Sequence, residues 1–234
     1  MSTPSSSPSA APLQFWNQRY REQGFAYGSE PNDFLRQQAA ALKPGQALCL
    51  AEGEGRNAVH LARLGHRVMA QDLSPVGLQK ARDLAATHGV SIETHCCDLA
   101  DFQPEPERVD LVVAIWMHLP PAMRAKVHRQ AVAALRPAGI LILEAYTPRQ
   151  LELATGGPPS RDLLVEPEAL QLELEGLESW SWRRSGAGSR RGPTTGARAR
   201  WCRQWVASLS NGTAGPREDC SQTHNAFMLI AVDG

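Results

Sequence analysis

Leu48-Cys49-Leu50-Ala51-Glu52-Gly53-Glu54-Gly55-Arg56-Asn57-Ala58-Val59-His60-Leu61-Ala62-Arg63-Leu64-Gly65-His66-Arg67-Val68-Met69-Ala70-Gln71-Asp72 decides the fold. Ala47 to Ala51 is a short apolar run, the pattern of a strand buried on both faces. Glu52 to Gly55 is a turn whose glycines let backbone approach a ligand. Ala58, Val59, Leu61, Ala62 and Leu64 recur at helical spacing, and Gly65 stands where a helix C-terminus takes a left-handed residue. Val68 to Ala70 opens a second strand that ends on Asp72. The unit is strand, glycine turn, helix, strand, with a carboxylate at the far end. Such a unit holds the ribose of a nucleotide-like cofactor at the carboxyl ends of parallel strands. A glycine pair alone is weak evidence, because turns often need two glycines. Gly53-x-Gly55-x-x-Ala58 also fits the dinucleotide fingerprint in its Gly/Ala form, so the rest of the chain must choose the cofactor.

Outward from this stretch, the alternation continues. Leu13 to Tyr20 is helical, with Phe15, Trp16 and Tyr20 on one spacing, and a turn-rich aromatic loop follows from Gly24 to Asn32. Asp33 to Leu42 reads as a helix ended by Lys43-Pro44-Gly45. After Asp72, Ser74-Pro75 is an N-cap with proline at the first helical position, and that helix runs to about Thr87. Val90 to Cys96 is a third strand and Val109 to Ile115 a fourth. Pro120-Pro121 starts a helix to about Arg136, which Pro137-Ala138-Gly139 breaks. Ile140 to Leu143 is a fifth strand, leading to Glu144-Ala145-Tyr146. The order argues an α/β doubly wound, mainly parallel sheet in residues 13–178.

The 234 residues carry no formal net charge, so nothing global points to nucleic acid or a membrane. No apolar run approaches the roughly 20 residues of a spanning helix. Met1 to Pro12 is rich in Ser, Pro and Ala and reads as a disordered tail, not a signal peptide. The cysteines, an odd count of five, fit reduced thiols in a cytoplasmic protein. His95-Cys96-Cys97 has no second pair at zinc spacing, so no metal is expected.

Further motifs narrow the reading. They are Phe15-Trp16-Asn17-Gln18-Arg19-Tyr20, Tyr27-Gly28-Ser29-Glu30-Pro31-Asn32, Asp72-Leu73-Ser74-Pro75 and Cys97-Asp98-Leu99. His118-Leu119-Pro120-Pro121, Leu135-Arg136-Pro137-Ala138-Gly139 and Thr155-Gly156-Gly157-Pro158 complete the set. In this order, with Glu52-Gly53-Glu54-Gly55-Arg56-Asn57-Ala58, the chain resembles the class I S-adenosylmethionine-dependent methyltransferases, in the branch of the tellurite-resistance and thiopurine-type enzymes. The resemblance implies a Rossmann-like fold, S-adenosyl-L-methionine as cofactor, and a small-molecule acceptor such as a thiol or chalcogen oxyanion. It implies that Glu52, Gly53 and Gly55 cover the methionine part of the cofactor. Asp72 would accept from both ribose hydroxyls, Asp98 from the adenine amino group with the Leu99 N–H near the ring, and Leu73 and Trp116 would sandwich the adenine. Trp16, Tyr27, His118, Tyr146 and Thr155 would face the acceptor. Each has an ordinary alternative: Trp116 as core, His118 as a cap of the Pro120 helix, Tyr146 as the end of a buried strand. The family often has an acidic residue where this chain has Cys49, and glycine where it has Ala51. Glu52 or Glu54 would then have to supply the missing charge. A nicotinamide oxidoreductase is the competing enzyme, but it leaves the helical lead-in and Asp98 without a role.

Residues 179–234 do not fit this frame. Ser179-Trp180-Ser181-Trp182-Arg183-Arg184-Ser185 lacks the apolar pattern of a closing strand, and strand-like sequence returns at Ala226 to Val232. Four of the six tryptophans and eight arginines fall here, against three acidic residues. The last two strands are therefore expected to be missing or irregular, with Ala226 to Val232 standing in for one. The composition fits a reading-frame shift near Glu178, since an alternative frame permits strand-like codons; the competing reading is an arginine-rich RNA-binding tail.

Overall fold

Side-chain alternation along five parallel strands builds two cores. In the computed structural model, which describes residues 10–153, 157–177, 179–185 and 226–232, the central strands are β1 (Gln46–Leu50), β2 (Arg67–Asp72), β3 (Glu93–Cys96), β4 (Val109–Ile115) and β5 (Leu135–Tyr146). Their order is β3-β2-β1-β4-β5, every neighbouring pair parallel. Successive side chains point to opposite faces. Leu48, Leu50, Val112, Ala114, Leu141 and Leu143 thus pack on one side, against α5 (Pro121–Ala134) and α7 (Pro167–Glu173). Ala47, Cys49, Val68, Ala70, Leu111 and Val113 pack on the other, against α2 (Asp33–Ala39) and α3 (Arg56–Arg63). The doubly wound sheet expected from the alternation is the fold.

Helix α1 (Ala10–Arg21) precedes the sheet, α4 (Pro75–Thr87) joins β2 to β3, and α6 (Gln150–Leu153) follows β5. Several boundaries differ from the sequence reading. Helix α1 begins at Ala10, inside the stretch read as tail. Strand β3 starts at Glu93, not Val90, because the Val90 N–H bonds the Ala85 carbonyl and closes α4. Helix α5 ends at Ala134 and Leu135 already pairs with Val109. Pro137 cannot donate to a helical ladder and disfavours helix at Arg136, so the chain extends early.

Beyond β5 the backbone of β6 (Ser179–Ser185) and β7 (Ala226–Val232) extends the sheet in the order β5-β7-β6, both pairings parallel. The closing strands are therefore irregular in sequence rather than missing, and Ala226–Val232 is indeed one of them. Residues 186–225, which carry most of the arginine-rich segment, lie outside the described residues.

The order β3-β2-β1-β4-β5 reverses direction between β1 and β4. Chain leaving β1 and chain leaving β4 depart to opposite sides there, which opens a crevice at the carboxyl ends. The glycine turn, Asp72, Asp98, Trp116 and Tyr146 all follow or end strands at this edge.

Candidate active site

The turn after β1 is built from left-handed residues. Ala51 has φ +49°, Gly53 +67° and Gly55 +89°. Ala51 occupies with strain a conformation that glycine adopts freely. At Gly55 a side chain is excluded twice, by φ and by space, since a Cβ would lie 2.5 Å from that of Ala81 on α4. The turn is tied to β2 through Asp72. One carboxylate oxygen accepts the Gly53 N–H at 2.8 Å and the other the Ser74 N–H at 2.7 Å. Burial raises the Asp72 pKa, while the N–H groups of Ser74, Gly53 and Leu73 pull it back. A carboxylate oxygen has two lone pairs, so each oxygen keeps capacity for a hydroxyl donor.

Two buried side chains that the sequence reading did not assign to the site hold this turn. Tyr20 packs its ring end on Gly53, where a Cβ would meet the hydroxyl at 2.7 Å, and it stacks on Trp16 at 5.4 Å between centroids. Gln71 accepts from the Ala51 N–H at 3.1 Å and donates to the Cys97 carbonyl at 2.7 Å, joining the ends of β1 and β3. A buried polar residue just before a strand-end carboxylate was the available signal for Gln71.

Glu52 and Glu54, the candidates to replace an acid at Cys49, are both engaged within the protein. Glu52 accepts the Asn57 and Ala58 N–H groups at 2.9 and 2.8 Å, satisfying the first turn of α3. Burial lifts its pKa to about 7, against the pull of those two bonds. Burial first, then the nearby Glu52 carboxylate, pushes the Cys49 thiol pKa up. Glu54 takes the Ala26 N–H at 2.7 Å and the Lys80 ammonium at 2.8 Å, and Lys80 also donates to the Glu22 and Gly24 carbonyls. Glu54 thus pins the loop after α1 to α4.

At the end of β3, Asp98 accepts the Ala100 N–H at 2.8 Å and shapes the turn that presents it. Leu99 is buried in the core with Phe102, so its backbone is what it offers a ligand. Leu73 is half-buried beside Asp72.

Beyond β4 and β5 lies an aromatic group. Trp116, held at φ +58°, places its ring 4.2 Å from that of Tyr146, and His118 stacks on Tyr146 at 6.0 Å. Gly157 lies flat against the Tyr146 ring, where a Cβ would come within 2.6 Å. Burial lowers the His118 pKa to about 4, so its imidazole is neutral at physiological pH. Trp116 thus groups with His118 and Tyr146. Trp16 stands apart with Phe15 and Tyr20 on α1. Tyr27 is half-exposed, with the Arg19 guanidinium 5.8 Å from its ring centroid. Thr155 lies outside the described residues.

Between the glycine turn and the aromatic group sits Glu144, also unassigned from sequence. It is 6% exposed, and one carboxylate oxygen accepts from the Asn32 amide at 2.5 Å. Asn32 caps α2 by accepting the Leu35 N–H, and its own N–H donates to Asn57. Burial raises the Glu144 pKa to about 7. The glutamate at the end of an apolar strand was visible, but its link to Asn32, 112 positions away, was not.

Residues 47–139 match the family described as "Methyltransferase domain". The chain is 31% identical over 115 residues to an N-terminal Xaa-Pro-Lys N-methyltransferase 1 of Danio rerio, covering 47% of this chain and 52% of the relative. The corresponding rat protein is 30% identical over 115 residues, with the same coverage. The chain thus spans about half the length of the curated relatives it matches. Among solved structures, one described as "Conversion of a Disulfide Bond into a Thioacetal Group during Echinomycin Biosynthesis" shares 22% identity at a TM-score of 0.59, over 71% of this chain and 80% of that one. The S-adenosylmethionine-dependent methyltransferase SibL in its apo form shares 24% identity at a TM-score of 0.51, over 62% and 47%. Residues 47–139 are thus similar to a methyltransferase domain, and the two solved structures share the fold of the sheet. Among the described residues no helix is long and apolar enough to cross a membrane.

Proposed function

We propose that the protein transfers the methyl group of S-adenosylmethionine to a small-molecule nucleophile in the cytoplasm, and that it stands with the tellurite-resistance and thiopurine-type branch of its class. The observation that carries this reading is Asp72: a buried carboxylate at the end of β2, the strand next to the switch point, bonded to the glycine turn and keeping lone pairs for two hydroxyl donors. Gly53, Gly55 and Glu52 form the turn over the methionine part. Leu73 and Trp116 bracket the adenine, and Asp98 with the Leu99 N–H reads its edge. Tyr27, His118 and Tyr146 belong to the acceptor side, while Trp16 braces Tyr20. The bound cofactor supplies an electrophilic methyl group, and the chain aligns the nucleophile with it. Alignment alone contributes about 7–11 kcal/mol in favourable cases.

A second reading comes from the relatives named as N-terminal Xaa-Pro-Lys N-methyltransferases: the acceptor would be the α-amino group of a peptide. Thermal melting with S-adenosylmethionine, its demethylated product and a nicotinamide dinucleotide tests the cofactor. Ligand at 100 times its dissociation constant stabilises by about 2.7 kcal/mol. A shift with the nicotinamide dinucleotide alone refutes the reading. Labelled methyl donor with small thiols, selenite, tellurite, halides and short peptides then identifies the acceptor.

A further inference from the structure

Glu144 and Tyr146 lie two residues apart on β5, on the same face of the sheet. The Trp116 N–H donates to the Glu144 carbonyl at 2.9 Å, which draws the post-β4 loop against the same strand end. One oxygen of Glu144 is fixed by Asn32, and among the described residues no hydrogen bond reaches the other. The charged and titratable groups about this carboxylate are Arg56 and Asp33 from the neighbouring helices and Tyr146 on its own strand. Arg56 already donates to the Tyr27 carbonyl at 3.0 Å. Glu144 is thus a buried carboxylate with a spare oxygen, on the strand end that also carries Tyr146, against which the Trp116 and His118 rings pack.

We propose that Glu144 is the acceptor-side catalytic residue, and that it selects a primary amine, holding its ammonium and removing one proton before methyl transfer. The proposal rests on the methyltransferase reading and narrows its acceptor to one chemical class. Where Glu144 is ionised, a thiolate or chalcogen oxyanion brings a second negative charge to it, and buried like charges repel. An ammonium completes the pair, while the His118 and Tyr146 rings take the hydrocarbon body of the amine. Near neutral pH a carboxyl group matched to that pH exchanges protons efficiently in both directions, and burial has moved Glu144 to about 7. The step balances. The ammonium gives one proton to the carboxylate. The freed nitrogen lone pair forms the N–C bond to the methyl carbon as the C–S bond breaks, and that electron pair stays on sulfur. The product is a secondary ammonium, and the carboxyl proton passes to water.

The test titrates four amines, namely benzylamine, histamine, putrescine and glycylglycine, into the protein saturated with demethylated cofactor, with benzyl mercaptan as the matched thiol. Calorimetry is run on the wild type and on Glu144→Gln, whose amide oxygen still accepts from Asn32. At least one amine is expected to bind the wild type and to bind Glu144→Gln ten-fold or more weakly. With labelled donor, that amine should become methylated with a pH inflection near 7 that the variant lacks. Should Glu144→Gln melt as an unfolded protein, Glu144→Asp carries the same comparison, since it withdraws the carboxylate by one methylene and should weaken binding. The proposal is overturned if none of the amines binds the saturated wild type, if the variant binds them equally, or if benzyl mercaptan is the better acceptor. Failure of the demethylated cofactor itself to bind is a separate result, and it counts against the methyltransferase reading.

Discussion

The backbone N–H of Gly53 lies 2.8 Å from Oδ2 of Asp72, so the carboxylate at the end of β2 fastens the turn that follows β1. Asp72→Ala removes that bond and the acceptor proposed for the cofactor ribose. Hydrogen bonds to charged groups contribute about 1.5–3 kcal/mol each. Cofactor affinity measured by calorimetry should fall by at least about ten-fold, with the variant still folded. Unchanged affinity would remove Asp72 from the site.

Gly55→Ala should destabilise the fold itself. The new methyl would collide with Ala81, and φ +89° is unfavourable for alanine. Overpacking of this kind costs about 1–3 kcal/mol, with backbone strain of about 1 kcal/mol or more in addition. The midpoint of urea unfolding should shift down accordingly, whereas Gly89→Ala, with open space around its Cβ, should shift less.

A buried ionic node joins α5 to α7. Arg124 donates to both oxygens of Glu173, at 3.0 and 2.8 Å, and to the Leu164 carbonyl, and His128 Nδ1 lies 2.7 Å from Glu173. Glu173→Ala leaves a buried guanidinium unpaired, which costs about 3–5 kcal/mol. His128 and Arg124 hold the Glu173 pKa below its ordinary 4.5 although burial raises it. Its contribution is therefore present above pH 4.5 and lost as pH falls through the lowered value. Acid unfolding of Glu173→Ala should lack that component.

Glu144 has the opposite sign. In the ligand-free protein its carboxyl keeps a proton up to about pH 7, while the unfolded chain releases it near 4.5. The native state binds the extra proton across that window, so its stability falls as pH rises from 4.5 to 7. Glu144→Gln does not titrate. The stability of the wild type relative to this variant should decline across the window, by about 3 kcal/mol at most, and stay flat outside it. A flat difference throughout would show an ordinary carboxyl.

The sheet was legible because its signals are local. Apolar runs of strand length, Ser74-Pro75, and Gly65 each specify an element within a few residues. The positions of Asp72 at the end of β2 and of Asp98 just past β3 were legible because topology sets where a strand end falls. Glu52 and Glu54 were not, because their partners decide their roles, and those partners include Ala26 and Lys80 on other elements. Glu144 and Tyr20 escaped for the same reason: an aromatic on a helix or a glutamate on a strand acquires meaning only when tertiary packing brings Asn32 or Gly53 against it. Strand β6 was missed because Ser-Trp-Ser-Trp-Arg-Arg-Ser carries no buried-strand pattern, and its pairing with β7 alone defines it.

Glu52, Glu54, Asp72 and Glu144 give the carboxyl edge of the sheet four buried acids, of which Glu54 is matched by Lys80. On the proposed reading, methyl transfer would change what faces them. The donor arrives with a positive sulfonium and leaves as a neutral thioether, so the ligand's charge drops by one while the rim's acids stay in place. Attraction to the spent molecule is weaker than attraction to the fresh one by the Coulomb energy of that single charge, magnified by burial. On that reading the ionised acids of the rim would favour release of product and uptake of the next donor, and raising the salt concentration should blunt the discrimination between the two.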